Sequence, residues 1–164
     1  MCTSGTPGRA DWNGYRFEFV RCPLRLRQAE EKYFGTVPRE IEQQVVCVTG
    51  PERTLVDCMA VPRRAGGPEE ALVSLRGVTV LKFEILEKYL DMLGNARVYA
   101  AVGAFLEQEA QRLFVPVSLL KRLEERCPRS KTYFSRSAGA GRYLRRWNLL
   151  VPEAFLRKED DFEA

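Results

Sequence analysis

The spacing of apolar and polar positions changes period along the chain, and each change predicts a new kind of element. Tyr15-Arg16-Phe17-Glu18-Phe19-Val20-Arg21 alternates aromatic and charged side chains, which places Tyr15, Phe17 and Phe19 on one face of a half-buried strand. Residues 22–38 are broken by Pro23, Gly35 and Pro38, and Lys32-Tyr33-Phe34-Gly35 reads as a turn carrying aromatic anchors. Gln43-Gln44-Val45-Val46-Cys47-Val48 predicts a second strand. From Thr49 the period becomes helical. Thr49 and Glu52 stand at capping-box spacing, and Pro51 fits a first helical turn, where its missing N–H has no helical partner. Leu55, Cys58 and Met59 form the inward face of a helix that ends before Pro62, and Arg53 lies one turn from Asp57, close enough to pair.

Ala65-Gly66-Gly67-Pro68-Glu69-Glu70 predicts a loop feeding a helix over 68–76, closed by Gly77. Two longer amphipathic helices follow, one striped by Ile85, Leu86, Tyr89, Leu90 and Leu93, the next by Val98, Val102, Phe105 and Leu106. The short Gly94-Asn95 connection makes them antiparallel neighbours. Val117 to Arg126 predicts one more helix, with Leu119, Leu120 and Leu123 inward and Pro128 as its stop. Thr132-Tyr133-Phe134 then reads as a short strand, 135–141 as a small-residue loop, and Tyr143–Val151 as a strand with Arg145, Trp147, Leu149 and Val151 on one face. The order predicts an α+β fold: a mixed β-sheet formed by N-terminal and C-terminal strands, with a central block of about five helices packed against it.

At 164 residues the chain fits one domain, expected over 14–156. The first 13 residues, rich in Gly, Ser, Thr and Pro, are expected to be disordered, and 157–164 to be an acidic tail. With 45% apolar residues the chain carries enough hydrophobic material for a core, and no apolar run is long enough to span a membrane.

The absence of histidine narrows the chemistry more than any of these. It removes the commonest general base, the imidazole metal ligand and the usual triad partner. The five cysteines include no CxxC pair, so neither a zinc site nor a disulfide framework is expected. No metal, cofactor or catalytic residue is assigned. No signal peptide opens the chain, and the expectation is a reduced, cytoplasmic, non-enzymatic protein. Glu69-Glu70 and Glu124-Glu125 are adjacent on helices and point about 100° apart, which suits solvated faces better than a shared proton. Gly66-Gly67 lacks the Lys-Ser/Thr of a phosphate loop and is followed by acids, so it reads as a tight turn.

Charge adds one feature. The net +4 is unevenly placed: Arg126, Arg129, Lys131, Arg136, Arg142, Arg145 and Arg146 fall between Arg126 and Pro152 with no acid among them, leaving the remainder at −3 (4 minus 7). Arg142-Tyr143-Leu144-Arg145-Arg146-Trp147 mixes guanidinium groups with aromatics, as phosphate clamps and stacking surfaces do. Arg142, Arg145 and Arg146 are therefore candidate contacts to DNA or RNA. The alternative is that Tyr143 and Trp147 are core residues and the arginines ordinary surface charges. No recognition helix is apparent, so sequence-specific reading is not expected.

Thr49–Cys58, followed by Pro62-Arg63-Arg64-Ala65-Gly66-Gly67-Pro68-Glu69-Glu70-Ala71, resembles the C-terminal domain of AbiEi-type antitoxins. The family pattern is a strand, then Ser/Thr-x-Pro-Glu-Arg-Thr-Leu-Leu-Asp, then a Pro and an Ala-Gly-Gly turn leading to the next helix. Phe34-Gly35, Tyr89–Gly94 with Asn95, and Tyr133 through Trp147-Asn148-Leu149-Leu150-Val151 resemble further family segments, so the likeness runs over nearly all of 15–152. It implies a regulator from a prokaryotic type IV toxin–antitoxin (phage-defence) system that antagonises a nucleotidyltransferase-type toxin. It also implies a contribution to DNA binding and transcriptional autoregulation through a positive surface, for which Arg136, Arg142, Arg145 and Arg146 match the expectation in character. Thr49, Pro51, Glu52, Arg53, Asp57, Gly66 and Gly67 carry the motif, and their capping, stripe and turn roles assign them to architecture. Family members usually begin with a winged helix-turn-helix; the 14 residues before Tyr15 are too few for one, so the expectation is a standalone effector domain, a truncated reading frame or the product of a split gene.

Overall fold

The computed structural model describes residues 2–3, 7–23, 26–27, 31–41, 43–135 and 141–156. Among these the fold is α+β. In chain order the elements are β1 (Cys2–Thr3), β2 (Gly8–Trp12), β3 (Tyr15–Arg21), β4 (Thr36–Ile41), β5 (Gln44–Thr49), α1 (Pro51–Ala60), α2 (Pro68–Arg76), α3 (Phe83–Leu93), α4 (Ala96–Gln108), α5 (Val117–Glu125), β6 (Thr132–Tyr133), β7 (Gly141–Leu144) and β8 (Leu149–Pro152).

The strands do not join into one sheet. Three small sheets form, ordered β1-β3-β2, β4-β5 and β6-β8-β7, so strands from the two ends of the chain are not paired with each other among the described residues. The reason is local closure. Asn13 and Gly14 both take positive φ (50° and 78°), the geometry of a two-residue hairpin turn, and fold β2 back antiparallel on β3 with Trp12 opposite Tyr15. Gly8–Trp12, inside the segment expected to be disordered, is thus a strand. Residues 1 and 4–6 of that segment, and the acidic tail 157–164, lie outside the described residues. Where β4 turns into β5, Gln43 takes φ 64° and Ile41 stands opposite Gln44. Pro38 is accommodated in β4 because a two-stranded ribbon leaves each strand an edge.

The helices hold to the periodicity closely. Gly94, left-handed at φ 56°, ends α3, and the Asn95 side chain accepts the Arg97 N–H to begin α4. Helix α4 is the centre of the core: every residue from Val98 to Leu106 is buried. α1, α5 and β8 pack on it. Leu119, Leu120 and Leu123 face inward from α5, as Leu55, Val56 and Met59 do from α1.

The closing segment departs from a continuous strand. Arg145–Trp147 forms a 3-10 turn and Asn148 takes φ 48°, so β7 doubles back to pair antiparallel with β8, Leu144 opposite Leu149. The cause is Trp147. Its side chain, 1% exposed, turns inward onto α4 and donates its indole N–H to Glu107 at 2.6 Å. Burying a ring of this size is worth roughly 3 kcal/mol. β8 lies between β7 and a parallel β6, with Leu149 and Val151 buried. Residues 153–156 are held by Phe155, which meets Phe134 edge to face at 5.0 Å, and by Arg76, whose guanidinium donates to the Ala154 and Phe155 carbonyls.

Candidate nucleic-acid interface

The motif in α1 is a hub of cross-links between segments distant in sequence. No capping box forms. Gly50 is the N-cap residue, the Thr49 hydroxyl meets that of Thr54 at 2.7 Å, and the buried Glu52 carboxylate accepts the Lys82 N–H at 2.8 Å. Glu52 therefore ties α1 to the start of α3 and does not cap its own helix. Pro51 sits in the first turn, as expected. Arg53, 2% exposed, donates to the carbonyls of Lys32 (3.0 Å) and Phe34 (2.8 Å) and lies 5.2 Å from the Tyr89 ring centre. Its Nε is 3.6 Å from Asp57, and Asp57 in turn accepts the Tyr89 hydroxyl at 2.7 Å. Burial raises the Asp57 carboxyl above its usual range, against the lowering effects of the Tyr89 hydrogen bond and the Arg53 charge. Phe34 stacks on Tyr89 with ring centres 6.3 Å apart, so the predicted aromatic turn docks on this hub. Gly66 (φ 83°) and Gly67 (φ 114°) make the turn into α2; a β-carbon on Gly66 would strike the Glu70 side chain.

The basic segment divides. Arg136 lies outside the described residues. Arg146 is engaged: it pairs with both Glu107 and Glu124, the latter at 2.8 Å. Partial burial works to lower its pKa, but the two carboxylates outweigh that and raise it. Arg126 pairs with Asp91. Arg129, Lys131, Arg142 and Arg145 are exposed, and none forms an ion pair with another described residue.

The closing sheet adds a feature that the linear pattern hid. Tyr133 and Tyr143 are both opposite Leu150, one across each edge of β8. Directly paired residues share a sheet face, so the two rings flank Leu150 on the side away from Leu149 and Val151. They are 51% and 40% exposed. The Lys131 ammonium lies 5.8 Å from the centre of the Tyr133 ring and 5.7 Å from that of Tyr143. The Tyr143 hydroxyl meets Asn148 at 2.6 Å, and Asn148 donates to the Pro128 carbonyl, which fixes the turn beneath the ring. Tyr133 also borders a cleft of about 880 Å3 with Pro62, Arg63, Pro68, Arg97 and Ser135. Arg97 is occupied there by the carbonyls of Met59, Ala60 and Phe134, whereas Arg63 is exposed. Sequence reasoning placed Tyr143 near the arginines but missed Tyr133 as its neighbour, because the alignment exists only once β7 has folded back on β8.

A second cleft, of about 440 Å3, opens beside the α1 hub between Val20, Pro23, Asp57, Arg64 and Leu93. The Asp57 carboxylate in its wall is already held by Arg53 and Tyr89. No described helix is long and apolar enough to cross a membrane. No family model matches the chain, and no curated protein or solved structure matches it either.

Proposed function

We propose that this chain is a non-enzymatic, antitoxin-like effector domain of a type IV toxin–antitoxin system, acting in the cytoplasm to antagonise a nucleotidyltransferase-type toxin. The observation that carries the reading is the Thr49–Ala71 segment, whose residues resemble those of AbiEi-type antitoxins. In support, Glu52, Arg53 and Asp57 each bond a different part of the chain, so the motif has a shared architectural reason to recur. Co-expression with a nucleotidyltransferase encoded beside this gene tests it. Growth is expected to be restored; toxicity that persists with the protein folded and abundant overturns it.

A second reading, a nucleic-acid-binding accessory, is favoured by the four exposed cations Arg129, Lys131, Arg142 and Arg145, which no described acid neutralises. Uncompensated guanidinium and ammonium groups on one segment attract a polyanion, and each phosphate contact steepens the salt dependence of binding. Replacing Arg142 and Arg145 with Ala is expected to weaken binding across a salt series and to lower its slope by about 1 to 2. An unchanged slope sinks this reading.

A further inference from the structure

We infer that the outer face of the β6-β8-β7 sheet is a stacking platform for single-stranded nucleic acid, with Tyr133 and Tyr143 each taking one unpaired base. The inference rests on the nucleic-acid reading and specifies the strandedness of the ligand and the residues that sense it. Three observations lead there. First, two large aromatic rings stand exposed on one sheet face, in register across a single intervening strand. Adjacent strands are about 4.8 Å apart, so the rings are separated by roughly 10 Å, a spacing that two bases of an extended strand can reach. Second, a cation sits between them: Lys131 lies within 5.8 Å of both ring centres, where the phosphate joining two stacked bases would pass. Third, Arg145 extends the positive surface along the turn after β7, and Arg63 extends it across the cleft that Tyr133 borders, whereas Arg142, opposite Val151, stands on the other face of the sheet.

Charge decides the class of occupant. An apolar partner would gain from the rings but would strand Lys131 and Arg145 without counter-charges. A duplex would satisfy the cations but hides its base faces, leaving the tyrosines without a role. Single-stranded nucleic acid supplies both phosphate charge and open π-faces, and stacking of this kind tolerates any base. That tolerance agrees with the lack of a recognition helix.

The test is fluorescence anisotropy at low salt with four labelled probes: a mixed-sequence single-stranded RNA, the matching single-stranded DNA, the DNA duplex, and the single-stranded DNA with abasic sites in place of bases. The intact chain is expected to bind the RNA or the DNA single strand at least tenfold more tightly than the duplex and the abasic strand. Whichever of the two binds more tightly identifies the source of the ligand. Tyr133→Ala and Tyr143→Ala should each cost roughly tenfold on single strands and leave the abasic strand unaffected. Tyr133→Phe and Tyr143→Phe keep the π-face and should bind as the parent does. Circular dichroism melting confirms that each variant is folded; an Ala variant that unfolds is replaced by Leu, which fills the space without a π-face. Equal affinity for duplex and single strand, or unchanged binding in folded ring-deletion variants, overturns the stacking platform while leaving the nucleic-acid reading standing. Failure of the intact chain to bind any probe overturns both.

Discussion

Gly103 of α4 and Trp147 occupy one space: a β-carbon at position 103 would overlap the six-membered ring of the indole. Glycine costs a helix interior about 1 kcal/mol relative to alanine, yet here alanine has nowhere to go. Both neighbours of the ring are fixed, since Trp147 is held by Glu107 and α4 is buried along its length. Gly103→Ala should therefore destabilise the chain by at least about 1–3 kcal/mol, the usual cost of overpacking a filled core. Trp147→Leu should be destabilising too, but the double variant should lose less than the sum, because the smaller side chain admits the methyl. Urea denaturation of the four proteins measures the coupling; strict additivity would mean that the two residues do not share this space.

Glu52 provides a second check on how the motif works. Its carboxylate accepts the Lys82 N–H from outside its own helix, and Lys82 is the N-cap residue of α3. Glu52→Ala should leave that part-buried donor without a protein partner and cost about 1–3 kcal/mol. Glu52→Gln keeps an acceptor oxygen and should cost less. If the capping box operated instead, Thr49→Ala would be as damaging as Glu52→Ala. Among the described residues the Thr49 side chain meets only the Thr54 hydroxyl, so Thr49→Ala should be milder by denaturant midpoint.

These two relationships show which parts of the fold were legible along the chain. Helix limits were, because they depend on neighbours: Pro68 and Gly77 bracket α2, and Gly94-Asn95 separates α3 from α4. The β2–β3 hairpin was legible in principle, since Asn13-Gly14 is a strong two-residue turn signal, but the Gly/Ser/Thr/Pro composition around it pointed to disorder. What adjacency could not show was competition at a distance. Thr49 and Glu52 have capping spacing, yet Lys82, thirty residues away, takes the carboxylate. Tyr143–Val151 alternates like a strand, yet the core position waiting for Trp147 beside Gly103 breaks it. For the candidate site, the arginines could be read but not their partners: Arg146 is bound to Glu107 and Glu124, 39 and 22 residues away, while Tyr133 joins Tyr143 only across β8.

Two carboxylates should give the stability curve opposing pH slopes. Burial raises the Asp57 pKa above its ordinary 3.8, so the folded state holds that proton more tightly than the unfolded chain. Its contribution is fully present below 3.8 and is lost as pH rises through the raised folded value. Glu87 is the reverse. The hydrogen bonds from Arg122, at 2.7 and 2.9 Å, lower its pKa below the ordinary 4.5. Its contribution is present above 4.5 and is lost as pH falls through the lowered value. Asp57→Asn should therefore gain on the parent between pH 3 and pH 7, and Glu87→Gln should fall behind over the same range. Thermal melts at both pH values measure the two differences, and shifts of the same sign in both variants would contradict the assignment.

Cysteine reactivity reports on the fold without any variant. Cys47 is exposed on β5. Cys127 follows α5, half-buried, with its thiol against the Leu123 carbonyl at 3.4 Å. Burial, reinforced by the nearby Glu124 charge and only partly offset by Arg146, pushes the Cys127 thiol up to about 11. Only the thiolate attacks an alkylating reagent, so at pH 8 about one Cys127 in a thousand is in the reactive form. Cys22, buried with its thiol on the Leu26 carbonyl, is shielded by packing as well. Limited iodoacetamide treatment of the native protein should label Cys47 well before Cys22 and Cys127, by at least about tenfold in rate. Peptide mass mapping at successive times separates the sites, and urea should equalise them. Cys127 labelled as fast as Cys47 in the native state would show that the end of α5 opens to solvent. That opening would also free Glu124 from Arg146 and leave this arginine paired with Glu107 alone.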